Sequence, residues 1–184
     1  MQHRYVLLSV VVLGMIITVG LSGCAKESAE SESSQPAAAL PASVFLNSAA
    51  ASPVPVAELR ATAKEGDLVT LRGVVGGRKL PLVRQRAIMT VVDPSVPNRC
   101  VEEADPDHCA TPWDYCCTAP EQINGEIATV QLVDEQGQVL KGDLAASGRL
   151  KPLSTVVVQG TVGPRPDESV FVVNATGVYV ESTP

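Results

Sequence analysis

From residue 67 to residue 180 the chain runs through short apolar–polar alternations separated by turn residues. Residues 67–76 put Val69, Leu71 and Val75 on one face, with Gly73 interrupting the series. A period of two is that of a half-buried strand, and a glycine inside it marks a bend or bulge. Residues 86–93 form a second strand, closed by Asp93-Pro94. Residues 126–134 form a third, entered through Ile123-Asn124-Gly125. After the turn Glu135-Gln136-Gly137, residues 138–144 pair back or extend the sheet. Residues 145–153 are a connector with room for one helical turn. Residues 154–162 form a fourth strand with Gly160 inside it, and residues 169–180 a fifth, bent near Asn174 to Gly177. Ahead of the strands, Val56, Leu59 and Ala63 are spaced for one face of a short helix over residues 56–64, which Gly66 stops.

The N-terminus follows a different pattern. His3 and Arg4 precede a nearly unbroken apolar run over residues 5–20, and Leu21-Ser22-Gly23-Cys24 follows. A run of this length is short for a membrane-spanning helix, which needs roughly 20 residues, and fits the hydrophobic region of a secretory signal. Leu-Ser-Gly-Cys resembles the lipobox of bacterial lipoproteins. The resemblance implies a signal peptide over residues 1–23, cleavage before Cys24, and acylation (diacylglycerol, then an N-acyl chain such as palmitate) at Cys24. Ala25 rather than Asp after the cysteine implies the outer membrane, facing the periplasm, if the host is Gram-negative. Two or more acyl chains anchor stably where one does not. Residues 24–55 are rich in Ser, Ala, Glu and Pro. Such a segment has too little apolar surface to offset its ordering entropy and reads as a disordered tether. From Ala25 to Ser52 its r.m.s. span would be about 30 Å. Val44-Phe45-Leu46 is the exception, with the capacity to dock transiently on the domain.

Composition narrows the core and the partners. Only 3% of residues are aromatic, so Val, Leu, Ile and Ala must fill the interior. The net charge is −6, and loss of Arg4 with the signal makes it −7. That argues against attraction of the whole protein to nucleic acid or anionic lipid.

Five strands, a glycine-bent first strand and a short connector before the fourth resemble the oligonucleotide/oligosaccharide-binding (OB) fold. The resemblance is carried by strand order over residues 67–181 and by fragments such as Val69-Thr70-Leu71-Arg72-Gly73-Val74-Val75 and Val156-Val157-Val158-Gln159-Gly160-Thr161-Val162. It implies an all-β domain over residues 56–184, a small five-stranded OB-like barrel, with a Cys-rich insertion over residues 94–124 between strands two and three. The alternative is a small antiparallel β-sandwich. In an OB barrel the loop joining strands one and two lies beside the usual binding face; here that stretch carries Arg78, Lys79, Arg84 and Arg86.

The insertion holds four of the five cysteines, Cys100, Cys109, Cys116 and Cys117, together with Trp113, Tyr115 and His108. An exported protein sits where disulfides persist, and four cysteines allow three pairings. Joining the adjacent Cys116 and Cys117 would strain the peptide between them. That leaves Cys100–Cys116 with Cys109–Cys117, or Cys100–Cys117 with Cys109–Cys116. Each bridge contributes about 3 kcal/mol in the chain-entropy account. The alternative is a metal site of Cys100, Cys109, His108 and Cys116, although no Cys-x-x-Cys pair of the zinc-finger kind is present. A thiol-redox role needs a lowered thiol pKa, and Glu102, Glu103, Asp105, Asp107 and Asp114 around the thiols disfavour thiolate. Thr111-Pro112-Trp113-Asp114-Tyr115-Cys116-Cys117 is similar to a string in uncharacterised planctomycete-type envelope lipoproteins, a resemblance that implies no activity.

These readings rank the function classes. His108 is the one histidine left after signal removal, and no Gly-rich phosphate loop is present, so the chain reads as no enzyme and implies no cofactor. Single-strand nucleic-acid binders combine a basic groove with aromatic platforms, and residues 86–93 and 126–134 contain no aromatic residue. The expectation is a membrane-anchored, non-catalytic binding or scaffold lipoprotein of the cell envelope. Its partners are membrane lipid through acylated Cys24 and an envelope protein or glycan, with no nucleic acid. The candidate contact residues are Arg78, Lys79, Arg84, Arg86, Trp113 and Tyr115, although aromatics such as Trp113 and Tyr115 more often pack over disulfides as a miniature core. A metal-binding or thiol-redox envelope protein is the alternative.

Overall fold

The computed structural model describes residues 40–102 and 109–184. The expected signal peptide, Cys24, the expected tether up to residue 39 and His108 lie outside the described residues. A two-residue strand, β1 (Val54–Pro55), leads into α1 (Val56–Thr62) and then five longer strands: β2 (Leu68–Val75), β3 (Ile88–Val92), β4 (Ile127–Leu132), β5 (Thr155–Val162) and β6 (Val172–Ser182). Strand β2 pairs antiparallel with both β3 and β5, and β3 pairs antiparallel with β4. Strand β4 pairs parallel with β6, and β6 antiparallel with β5, which closes the ring. The domain is a small all-β, OB-like barrel rather than a two-sheet sandwich. Closure removes the unpaired edges that an open sheet would expose. Among the described residues, no helix is long and apolar enough to cross a membrane.

The period of two accounts for the interior. Leu71 and Val75 of β2, Met89 and Val91 of β3, Ala128, Val130 and Leu132 of β4, and Val156, Val158 and Val162 of β5 all turn inward and are buried. Gly73 faces the same interior, where an added Cβ would stand 3.1 Å from Val91 Cβ. On the outer face of β2, Arg72 pairs with Glu181, its Nη2 2.6 Å from Oε2. This cation therefore belongs to the barrel wall and not to the basic loop. The segment after β4 pairs back through the Val133–Val139 bridge, and the connector contains a 3-10 turn, Ala145–Ser147.

Helix α1 packs Val56 and Leu59 into the core. Its own N-cap is Pro55, whose side chain offers no acceptor. Asp93 supplies one from 36 positions away: Ala57 N–H donates to Asp93 Oδ2 at 2.8 Å, and Ser95 N–H to Oδ1 at 2.8 Å. An anion at a helix start is favourable, which explains a carboxylate only 2% exposed. Its neighbour Glu126 is less well placed. Glu126 Oε2 is buried without a hydrogen-bond partner. Burial, then repulsion from Asp93, hold the Glu126 carboxyl above its ordinary range against the opposing pull of Arg60. An acid whose folded pKa is raised costs stability as pH rises through and above the unfolded value, about 4.3. Glu126→Gln is therefore expected to raise Tm at pH 7, with the gain disappearing near pH 4. Thermal melts of both proteins at the two pH values check this.

The largest departure from the sequence reading is at residues 40–55, which composition places in the tether. They form a strap on the barrel. A 3-10 turn, Ala42–Val44, delivers Val44 and Phe45 into the core, 5% and 7% exposed. Phe45 bridges Val178 of β6, and Leu46 N–H donates to Val178 O at 2.9 Å. Leu46 fills the space beside Gly177, where an added Cβ would lie 2.7 Å from Leu46 Cδ2. The Arg149 guanidinium covers the Phe45 ring at 4.9 Å from its centroid. Val44, Phe45 and Leu46, with Leu40 and Val54 packed beside the core, order the segment because a barrel face is there to receive them.

Candidate functional site

The insertion between β3 and β4 contains α2 (Arg99–Glu102), a 3-10 turn over Pro112–Asp114 and α3 (Pro120–Asn124). It has a small core of its own: Val96, Tyr115 and Ile123 pack with Val92 and Ile127 at the ends of the two flanking strands. Tyr115, which the sequence offers both as a contact residue and as part of a miniature core over the cysteines, lies in such a core at 3% exposure. Burial pushes its phenol pKa up, while a hydrogen bond with Asn98 opposes the shift. Its backbone is left-handed, φ 59° and ψ 33°, a conformation uncommon for a residue with a side chain. Tyr115 closes the 3-10 turn and swings its ring against Gly76, where an added Cβ would fall 2.7 Å from Trp113 O and 3.0 Å from Tyr115 Cε2.

That same approach joins the insertion to the loop after β2. Gly77 N–H donates to Trp113 O at 2.8 Å, and Trp113 Nε1–H donates to Lys79 O at 3.1 Å. Trp113 stays partly exposed, and Arg78 and Lys79 are exposed beside it. The four loop cations do not act as one group. Arg84 and Arg86 are exposed at the other end of the loop, where Arg86 pairs with Lys141 and Gln85 O accepts from Gly142 N–H. Of the six residues read as a contact surface, the structure brings together Arg78, Lys79 and Trp113. It separates Arg84 and Arg86 from them and buries Tyr115. Periodicity carries no signal for this division, because it depends on which end of a loop folds back.

The four insertion cysteines converge. Cys116 Sγ lies 3.1 Å from Cys109 Sγ, 3.4 Å from Cys100 Sγ and 3.7 Å from Cys117 Sγ. The sulfurs of Cys100, Cys116 and Cys117 all lie within 4.8 Å of one another, and Cys109, Asp114 and Cys116 form a second such group. Short helix α2 carries Cys100, which is buried; Cys109 and Cys117 are half-buried and Cys116 is exposed. Burial raises the Cys100 thiol pKa, but hydrogen bonds from Cys117, Cys116 and Cys109 outweigh it and the net shift is downward. Cys116 is pushed strongly up, first by its hydrogen bonds to Cys109 and Cys100, and Cys117 is pushed up, first by Cys100.

Asp114 is the residue that sequence reasoning cast only as a repelling charge. Its Oδ1 accepts from Cys116 N–H at 2.9 Å and its Oδ2 from Thr111 Oγ1–H at 2.7 Å. An Asp two residues before a backbone N–H it caps is a readable turn signal, and Asp114-Tyr115-Cys116 has that spacing. A cleft of about 230 Å³ beside the cluster is lined by Gly77, Arg78, Asp114, Cys116 and Asn124, among others. No protein-family model matches this chain, and no curated protein matches it.

Proposed function

We propose that this chain is a lipid-anchored, non-catalytic binding or scaffold lipoprotein of the bacterial cell envelope, held through acylated Cys24. Its contact surface is the patch formed by Arg78, Lys79 and Trp113 where the basic loop meets the insertion. In a Gram-negative host the domain would stand on the outer membrane facing the periplasm. The observation that carries the reading is the pair of hydrogen bonds between Trp113 and the loop, from Gly77 N–H to Trp113 O and from Trp113 Nε1–H to Lys79 O. They join Trp113 to the backbone of the loop that carries Arg78 and Lys79, the loop that OB-like barrels use for binding. Trp113, and Arg78 whose Nη1–H donates to Gly77 O, are held and lose little entropy on binding. The nearby carboxylates of Glu102 and Asp114 disfavour a simple polyanion, so a protein partner of mixed charge fits better than nucleic acid, with a glycan as the second choice.

The test uses the full-length acylated protein, cross-linked in its own envelope. Arg78→Glu with Lys79→Glu is expected to reduce the yield of specific cross-linked partners about tenfold, which corresponds to ~1.4 kcal/mol. In the same experiment Cys24→Ser should leave the chain unacylated and uncleaved, still carrying the apolar run of residues 5–20 and migrating differently from the wild type. An unchanged partner profile in a folded double mutant removes the basic loop from the site.

A further inference from the structure

The structure points to a metal site beside the contact patch, with Arg78 lining the cleft that adjoins both. We propose that Cys100, Cys109, Cys116 and Cys117 together bind one thiophilic divalent cation of the zinc class as a four-thiolate site.

Shared proximity is the first argument. Two separate bridges would sort four sulfurs into two pairs. Here one sulfur, Cys116 Sγ, stands at 3.1, 3.4 and 3.7 Å from the other three. A sulfur–zinc bond is ~2.3 Å, so the edge of a tetrahedral four-sulfur site is about 3.8 Å. The three separations to Cys116 approach that edge and are well above the ~2.05 Å of a covalent bridge; Cys109 lies outside the mutually close set of Cys100, Cys116 and Cys117 and moves in to complete the tetrahedron when the cation binds. The adjacent pair Cys116 and Cys117 look awkward as joint ligands from sequence, yet at 3.7 Å they fit one tetrahedral edge.

Surroundings supply the second argument. Asp114 reaches two of the thiols, but both of its oxygens already accept hydrogen bonds, from Cys116 N–H and from Thr111. It is placed to orient Cys116 rather than to ligate, the role that carboxylates commonly take around metal centres. Four thiolates around a divalent cation leave a charge of about −2. Arg78 lines the same cleft as Cys116, where a guanidinium offsets that charge. Exposure of Cys116 and burial of Cys100 give the cation a way in from solvent and a dry inner wall.

The chemistry balances without an oxidant. Four S–H bonds break, four metal–sulfur bonds form, and the four protons go to solvent; no electrons are transferred. His108 is not needed, which distinguishes this set from a Cys/His site.

Co²⁺ is the probe. The full-length acylated protein is purified in detergent with reductant, stripped with chelator and titrated. Expected is uptake of one Co²⁺ per chain with intense sulfur-to-metal charge-transfer bands and the visible envelope of tetrahedral cobalt, lost on addition of one equivalent of Zn²⁺. Cys109→Ser and Cys117→Ser should each weaken binding at least tenfold and change the spectrum. The barrel core contains no residue of the insertion, so these variants keep a fold whose melting can be checked. The proposal is overturned by reduced protein that takes up no Co²⁺ or binds it without sulfur bands. It is equally overturned by spectra that neither substitution alters, or by protein isolated anaerobically with two disulfides and no metal.

Discussion

Phe45→Ala is expected to destabilise the domain by about 3–5 kcal/mol, the range for removing a buried phenylalanine. The side chain is 7% exposed within the main core, and Arg149 lies over its ring at 4.9 Å. Truncation therefore leaves a cavity and also removes a cation–π contact worth roughly 0.5–1 kcal/mol at such a site. The pairing of Phe45 with Val178 and the packing of Leu46 beside Gly177 depend on the same seat, so the strap should loosen as a unit. Denaturant unfolding checks it: the midpoint should fall with little change in slope. A disordered tether would give a change of less than about 0.5 kcal/mol, the usual range for exposed positions. That smaller result would return residues 40–55 to the tether.

Gly160→Ala is the second large effect. Gly160 is buried in β5 between two partners, opposite Val69 of β2 and Ala175 of β6. The register between β5 and β6 slips at this point: Gln159 faces Gly177 and Gly160 faces Ala175, so Thr176 is the extra residue of a bulge. The bulge pushes the β6 backbone toward β5. A Cβ on Gly160 would collide with Asn174 O and stand 2.8 Å from Ala175 Cα. These are main-chain atoms that cannot rotate away, and β2 on the other side blocks retreat. Overpacking of a core costs about 1–3 kcal/mol where side chains can adjust. Here the barrel itself must open, so a loss at or above the top of that range, or failure to fold, is expected. Gly125→Ala is the control, because no atom lies within 4 Å of its added Cβ and its φ is −76°. It should be neutral or stabilise by a few tenths of a kcal/mol. Equal melting temperatures for the two variants would contradict the bulge geometry.

The barrel was legible for a local reason. Alternation over β2, β3, β4 and β5 reports which side chains face inward, and that pattern is a property of each strand alone. Gly73 and Gly160 stood out inside otherwise valine-rich strands, and Gly160 marked the closest approach among the described glycines. The bend near Asn174 to Gly177 is the bulge at Thr176. The strap was legible only in part. Val44-Phe45-Leu46 stood out as able to dock transiently, but the stretch is polar on average, and only the β6 face shows that these residues, with Leu40 and Val54 beside them, have a fixed seat.

The site divides in the same way. Composition and spacing identified the insertion, its cysteines and the basic loop as the parts that carry chemistry. They left Tyr115 open between core and surface, and could not show that Arg72 belongs to Glu181 or that Arg84 and Arg86 sit at the far end of their loop. Each of those outcomes depends on what the other end of the chain presents. For Tyr115, it is the absence of a Cβ at Gly76. For the thiols, it is the seating of Trp113 on the loop after β2.

By itself, then, the sequence determined the strands, their inward faces and the apolar run ending at Cys24, because these are periodic or contiguous signals. Tertiary structure alone decided the strap, the choice among loop cations and the meeting of four sulfurs around Cys116. Those depend on contacts between segments far apart in the chain, where side-chain type is known but relative position is set only when the barrel closes.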